Sequence, residues 1–354
     1  MKLIYSDYEI LEQGVGMDGI NEQIELAGRT CYKSEDKITK DSAKDFVDRM
    51  IKSGHGAMLE HGTVYLAIPK FDYKHTKKDA FGEFISDKYP DLIKILEENK
   101  YSKVKIIKQK DNTVTTFSEE DLKLRPCHLE YIFVTTNYRV IIENGLEDLF
   151  QYICEPTKYH EKRITVKFTC DRGVSHEFVR HRVFSFAQES TRYCNYSKDK
   201  FGNELTFIIP SCIKINMTDG RYEWEDKNPL ITAGMDERDC GYDDSSNLWI
   251  EEANGNMTEC KWARTEEYNT FFKLLQNSED AYNTLIKENW KPQDARAILP
   301  NCLKTELVMT GFVSDWKGFF KLRDNSKAHP DAQALAKPLH EEFIKKGYID
   351  GNMD

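Results

Sequence analysis

The sequence predicts an α+β fold: a central antiparallel or mixed sheet flanked by helices and interrupted by two insertions. Three observations carry this. Apolar residues alternate with polar ones in Ile164–Cys170 and Thr63–Ile68, the period of a half-buried strand. Apolar residues recur at helical spacing in Asp41–Gly54 and Trp262–Trp290. Strand-like and helix-like segments do not alternate regularly, which argues against a doubly wound parallel sheet.

The elements follow in order. Ala43, Phe46, Val47, Met50 and Ile51 keep the i, i+3, i+4 rule, and Gly54 is a natural stop for that helix. His55–His61 turns the chain into the Thr63–Ile68 strand. Residues 70–125 are rich in lysine and aspartate and read as an insertion with short helices around Ala80–Glu98. Tyr131–Thr135 follows as a strand, after which Asn137 is placed to cap a helix and Gly145 to end it. Beyond the Ile164–Cys170 strand, Ser175 is the expected cap of a helix running through Arg180. Leu205–Ile209 is a further strand. Residues 216–260 are acidic and aperiodic, which fits a surface insertion or lid. Tyr268, Phe271, Leu275, Tyr282 and Leu285 mark Trp262–Trp290 as a long core-facing helix. Ser314–Leu322 and Pro330–Lys346 are two more, the second opened by its proline. With no internal repeat or clear linker, 1–354 reads as one domain.

Composition narrows the partners. A hydrophobic content of 40% supports a packed core and excludes global disorder. A net charge of −10 argues against a nucleic-acid partner, whereas a local arginine cluster still suits a small anion. The opening MKLIYSDYEI has no apolar leader core, and no apolar run approaches the ~18 residues that span a bilayer. Nine scattered cysteines without a CxxC pair fit reduced thiols, so a cytoplasmic location and no membrane partner are expected.

The densest chemistry lies in Arg180–Tyr193. Arginines flank His181, and Arg192 follows roughly three helical turns further on. A guanidinium presents a rigid fork that matches phosphate oxygens, and Ser190 with backbone N–H groups completes a cradle. The bland alternative is a solvated charged helix face. Interleaved Phe184, Phe186 and Tyr193 argue against it, because a solvated face does not carry so many aromatics. The stretch suits a phosphorylated, nucleotide-like ligand.

Arg-His-Arg, seven residues and then Ser, extended here as Ser-Thr-Arg-Tyr, resembles the signature of flavin-dependent thymidylate synthases. Further elements resemble that family in the same order: His55–His61 before a strand, Ala295–Pro300, and Leu322-Arg323 with Ala332-Gln333. The resemblance implies a single catalytic domain over 1–354 that methylates dUMP to dTMP. It implies FAD as cofactor, 5,10-methylenetetrahydrofolate as carbon donor, NADPH as reductant, and a homotetramer with sites at subunit interfaces. Carried over residue by residue, Arg180, His181 and Arg182 would contact FAD, with Arg180 also near dUMP. His55 and Glu60 match positions lining the flavin site, and Cys31 stands where the family often has serine. Ser190 and Arg192, with Thr191 between them, would hold the dUMP phosphate, assisted by Arg296. Gln188 and Glu189 would lie between the two ligands. Arg323 matches the arginine that polarises the uracil ring and is the catalytic candidate. Glu177 falls at a substrate position where the family usually has glutamine. The chain departs from the pattern at Ala187-Gln188, where many members have Asn-Glu, and at Phe312-Val313-Ser314, where many have an FAD-touching Asn-x-Arg. Gly318 likewise replaces a frequent asparagine.

Other readings stand beside this one. Gly14–Gly19 spells the GxGxxG of an NAD-dependent dehydrogenase, but Tyr5–Glu9 is too polar for the buried parallel strand such a site needs. A cysteine-nucleophile thymidylate synthase would use Cys127 or Cys212. His55, His61, Cys170 and His181 lack metal-ligand spacing, so no metal is expected. The different-class alternative is a non-catalytic nucleotide-binding homologue, prompted by the departure at Phe312–Ser314.

Overall fold

The computed structural model describes residues 1–71, 89–108, 129–198, 202, 204–212, 230–232, 248–251, 257–260 and 266–350. The chain opens with strands β1 (Lys2–Ile4) and β2 (Asp7–Leu11) and helix α1 (Gly16–Tyr32). Helices α2 (Ser42–Lys52) and α3 (Gly56–Leu59) lead into β3 (Thr63–Phe71). Next come α4 (Leu92–Glu97), β4 (Lys103–Lys108), β5 (Leu129–Asn137) and α5 (Tyr138–Glu143). Strand β6 (Arg163–Asp171) runs into α6 (Arg172–Phe178), followed by β7 (Ser185–Gln188) and β8 (Thr206–Ile208). Short strands β9 (Leu230–Thr232), β10 (Leu248–Glu251) and β11 (Met257–Cys260) precede α7 (Glu266–Lys287) and α8 (Pro292–Ala295). Strand β12 (Lys304–Phe312) and helices α9 (Val313–Arg323) and α10 (Pro330–Lys345) close the described chain.

The α+β class holds, but the strands divide among three sheets instead of one. The orders are β11-β10-β9-β1-β8, β2-β6-β12-β7 and β3-β5-β4. The last two are antiparallel throughout; the first is mixed, with β1 parallel to β8. Each sheet has its own core. Ile24, Phe46, Leu66 and Val134 pack α1, α2, β3 and β5 together. Phe168, Phe178, Trp316 and Phe343 join β6 to α6, α9 and α10. Leu3, Phe207, Leu275 and Tyr282 join β1 and β8 to α7.

The Arg180–Tyr193 stretch is not helical. Helix α6 ends at Phe178, and Ser185–Gln188 forms a strand on the edge of β12, with Ser185 opposite Thr310 and Gln188 opposite Leu307. The extended backbone lets its apolar residues reach different cores. Phe184 enters the second, Ala187 the first, and Cys194 with Tyr196 the third. The segment that carries the charged motif thus stitches the three sheets together. Gly311 makes room for it, since a Cβ there would lie 2.4 Å from the Phe184 ring.

Helix α6 also begins earlier than expected. Asp171 caps it by accepting from Val174 N at 2.8 Å, and Ser175 instead bonds the Arg172 carbonyl inside the first turn. The GxGxxG turn follows β2, an antiparallel neighbour of β6, and therefore lies outside any βαβ unit. Its glycines allow Gly19 to approach the Gly14 backbone, where a Cβ would fall 2.0 Å away.

Parts of the two proposed insertions fall among the described residues. Within 70–125, α4 buries Leu92 and Leu96 in the first core and β4 pairs along β5; residues 80–88 of the expected helices lie outside the described residues. Within 216–260, β9, β10 and β11 build an antiparallel ribbon onto β1, which the aperiodic sequence did not announce.

Candidate functional site

The ends of α6 and α9 bring Glu177, His181 and Arg323 together. Arg323 Nε donates to His181 Nε2 at 3.0 Å, and its two terminal nitrogens donate to the Glu177 carbonyl (2.7 Å) and carboxylate. A guanidinium carries five N–H donors, so two remain after these three contacts. The arginine is fixed in direction without being saturated. Because His181 Nε2 accepts, the ring is neutral and its proton sits on Nδ1. Burial first, and the Arg323 charge second, lower the His181 pKa from 6.5 to about 4. Phe319 packs on the ring with centroids 5.1 Å apart.

Beyond β7, the loop carrying Gln188 to Arg192 is anchored residue by residue. Gln188 Nε2 donates to Ser175 Oγ at 2.9 Å and Thr305 Oγ1 at 3.3 Å. Glu189 is buried, accepting from Tyr196 OH at 2.9 Å and Lys304 Nζ at 3.0 Å. Lys304 also meets Glu306 at 2.6 Å, and Lys33 closes the chain of charges on Glu306 at 2.6 Å. Burial alone would raise the Glu306 pKa; Lys304 and Lys33 outweigh it and hold the carboxyl at about 2. Burial would likewise lower the Lys304 pKa, but Glu189 and Glu306 raise it. Ser190 N donates to the Cys31 carbonyl at 3.0 Å, which ties the loop to the end of α1. The Cys31 thiol is pushed up to about 11 by burial and then by Glu189, so it is a poor nucleophile.

The remaining cations face outward. Arg180, Arg182, Arg192 and Arg296 are exposed. Arg296 donates to the buried Thr191 at 3.0 Å. The guanidinium groups of Arg180, Arg182 and Arg192 have no hydrogen-bond or ion-pair partner among the described residues. Beside Arg192 stands an aromatic group. Tyr193 meets Tyr32 edge-on at 5.7 Å, and Tyr32 OH lies 3.1 Å from Nδ1 of exposed His55.

Glu60 is reached differently from the other expected residues. Its buried carboxylate pairs with Arg139 at 2.7 Å, and its carbonyl accepts from Arg163, which also contacts Ser185 Oγ at 3.4 Å. It therefore supports the start of β7 through Arg163. Buried His61 bonds Thr310 Oγ1 at 2.8 Å, and among the described residues no group of three or more His, Cys, Asp or Glu side chains converges as a metal site. Cys127 lies outside the described residues, and Cys212 is exposed on a turn.

The sequence reading passed over Lys304, Tyr196 and Tyr32 and read Ser175 only as a helix cap, yet these hold the assigned residues in place. Lys304 and Glu306 are two apart on a strand and so share a face, a readable signal. Tyr196 carries no local cue.

Comparison with known proteins gives the family. The family described as thymidylate synthase complementing protein matches residues 160–346, more than half of the 354-residue chain. A flavin-dependent thymidylate synthase of Pyrococcus furiosus is 25% identical over 180 residues, covering 51% of this chain and 53% of that protein. One from Thermococcus onnurineus is 26% identical over 176 residues, covering 50% and 51%. The chain thus spans about half the length of the curated relatives it matches. A solved structure of a UMP/dUMP methylase from Streptomyces cacaoi bound with 5-Br dUMP is 12% identical over 98% of this chain and 93% of that one, with a TM-score of 0.36. No helix among the described residues is long and apolar enough to cross a membrane. The matched span runs from just before β6 through α10 and contains the motif strand, its partner β12 and Arg323, and it covers more than half of the chain, so the chain belongs to the thymidylate synthase complementing protein family.

Proposed function

We propose that this chain is a flavin-dependent thymidylate synthase, converting dUMP to dTMP with FAD, 5,10-methylenetetrahydrofolate and NADPH. One observation supports the reading above the others. Arg180, Arg182 and Arg192 stand exposed and unpaired among the described residues, while Glu189, the acid on the same segment, is already paired with Lys304. Local positive charge on a chain of net charge −10 fits phosphate-bearing ligands.

The residues present fit a flavin nucleotide. Arg180 and Arg182 would hold FAD, with His181 offering Nδ1–H, and Cys31, His55, Glu60 and Gln188 would line or support its site. Bound flavin would supply the redox chemistry of the methylation. Ser190, Thr191 and Arg192, with Arg296 behind Thr191, would hold the dUMP phosphate. Arg323 would direct its two remaining N–H groups at the uracil carbonyl, stabilising negative charge that develops on the ring. In this arrangement Glu177 and His181 orient Arg323, and Glu189 positions the phosphate loop from below. We place the activity in a cytoplasmic homotetramer with sites shared between subunits.

The experiment is purification of the full chain, an absorbance spectrum and a dUMP methylation assay. Flavin absorbance near ~450 nm and folate-dependent dTMP formation are expected. A chain that takes up no FAD and forms no dTMP overturns the reading. A non-catalytic homologue is the second reading, favoured by Phe312, which is 2% exposed and brings no polar side chain to its end of β12. It predicts nucleotide binding without flavin uptake.

A further inference from the structure

The end of β12 lacks a cation of its own, since Phe312-Val313-Ser314 carries none. Strand register places this end beside the motif. Thr310 lies opposite Ser185, so Phe312 continues alongside the residues just before β7. The turn between α4 and β4 then lays two lysines over this junction. Lys100 Nζ donates to the Arg182 carbonyl at 3.0 Å, and Lys103 Nζ stands 5.4 Å from the centroid of the Phe312 ring. The turn is held rigidly. Tyr101 N bonds Asn99 Oδ1 at 2.9 Å, Ser102 N bonds the Asn99 carbonyl at 3.0 Å, and buried Ser102 Oγ meets Thr136 Oγ1 at 2.8 Å. The Lys100 ammonium is also seated 4.5 Å from the centroid of the Tyr101 ring.

Both lysines are exposed, and among the described residues neither has a carboxylate at ion-pair distance. Two acids stand on the same side: Asp315 accepts from Phe312 N at 3.1 Å and feels the charge of Lys103, and Glu161 accepts from Ser314 N at 3.0 Å. Lys100, at the Arg182 carbonyl, and Lys103, beside Phe312, bring two further cations to the start of β7 next to exposed Arg182. Compact ammonium groups that already hold fixed positions act as point charges toward phosphate. A diphosphate carries the negative charge to match these cations.

We propose that Lys100 and Lys103 bind the diphosphate of FAD, so that the segment 70–125 completes the cofactor site through its ordered turn. The proposal rests on the flavin reading above and adds two residues to it.

The test uses the full-length chain and its Lys100→Ala, Lys103→Ala and double variants. FAD and riboflavin affinities are measured by titration of flavin fluorescence, since riboflavin has the ring without the phosphates. Each single change is expected to weaken FAD about tenfold, as for loss of one charge-assisted contact, and the double by more than either single change. Riboflavin affinity is expected to stay constant, which also reports that the site is folded. The Lys100→Arg, Lys103→Arg double variant is expected to keep FAD. Unchanged FAD affinity in the double alanine variant, or equal loss of FAD and riboflavin, overturns the lysine assignment. If the unaltered chain binds neither flavin, the parent reading fails and this one falls with it. If the unaltered chain binds FAD and the double variant binds it as well, only the lysine assignment fails.

Discussion

Glu189 and Arg192 stand three residues apart on one loop and meet their surroundings in opposite ways. Glu189 is 2% exposed and held by Tyr196 and Lys304, within a chain of charges that runs on through Glu306 to Lys33. Arg192 is exposed, and its guanidinium has no ion-pair partner among the described residues. A buried charge already paired with a cation is closed to an incoming ligand, so its contribution is the position of the backbone around it. An exposed unpaired arginine contributes little to stability and keeps its full fork for an incoming anion. Arg323 lies between these extremes, because Glu177 and His181 fix its direction and two donors are left over.

The sharpest way to break this contrast is on the buried side. Lys304→Met removes the ammonium that Glu189 and Glu306 share. Unpaired buried carboxylates are costly, so urea unfolding is expected to show a loss of about 3–5 kcal/mol. A loss below about 1 kcal/mol, the size of a surface pair, means that the charges are not coupled as described.

Arg323→Ala tests the intermediate case. Removing a preoriented donor from developing charge is expected to lower kcat by ~10²–10³-fold, with flavin content unchanged. Lysine at that position cannot hold Glu177 and His181 at once with a planar fork, so Arg323→Lys is expected to recover little. A change confined to KM makes Arg323 a binding residue only.

On the exposed side, Arg180→Ala is expected to weaken FAD binding by about 1.5–3 kcal/mol, the worth of one charge-assisted contact, while the melting temperature stays near that of the parent. A variant that loses stability and keeps FAD would reverse the roles of the two classes.

The last expected effect is a slope. His181 takes up its proton near 6.5 when unfolded and only near 4 when folded. Between those values the unfolded chain binds more protons, so stability rises with pH there and is lost as pH falls through about 4. His181→Gln still offers Arg323 an acceptor and cannot titrate, so its stability is expected to fall less over that window. Identical slopes for the two proteins would place the titration elsewhere.

How much of this was legible in the sequence depends on the range of the interaction. The alternation in β6 and the Pro330 start of α10 were readable because they are local. Asn137 caps α5 as expected, accepting from Val140 N at 3.0 Å, and Gly145 takes a φ of +63° after it. The edge strand β7 was not readable. It is short, and its partner β12 lies far along the chain, so the charged motif passed for a helix. Of the candidate residues, the motif announced itself by type and spacing, whereas Arg323 was reached through the family resemblance. Lys304 shares a readable strand face with Glu306, but its pairing with Glu189, like that of Tyr196, is fixed by tertiary packing.

The bond from Ser190 N to the Cys31 carbonyl has a consequence for how such a protein tolerates sequence change. It runs from main chain to main chain, so the identity of residue 31 does not enter into it. Any small side chain that fits the half-buried end of α1 leaves the anchor of the Gln188–Arg192 loop unaltered. Replacement of Cys31 by serine or alanine is thus expected to leave the loop in place, since the anchor makes no demand for sulfur.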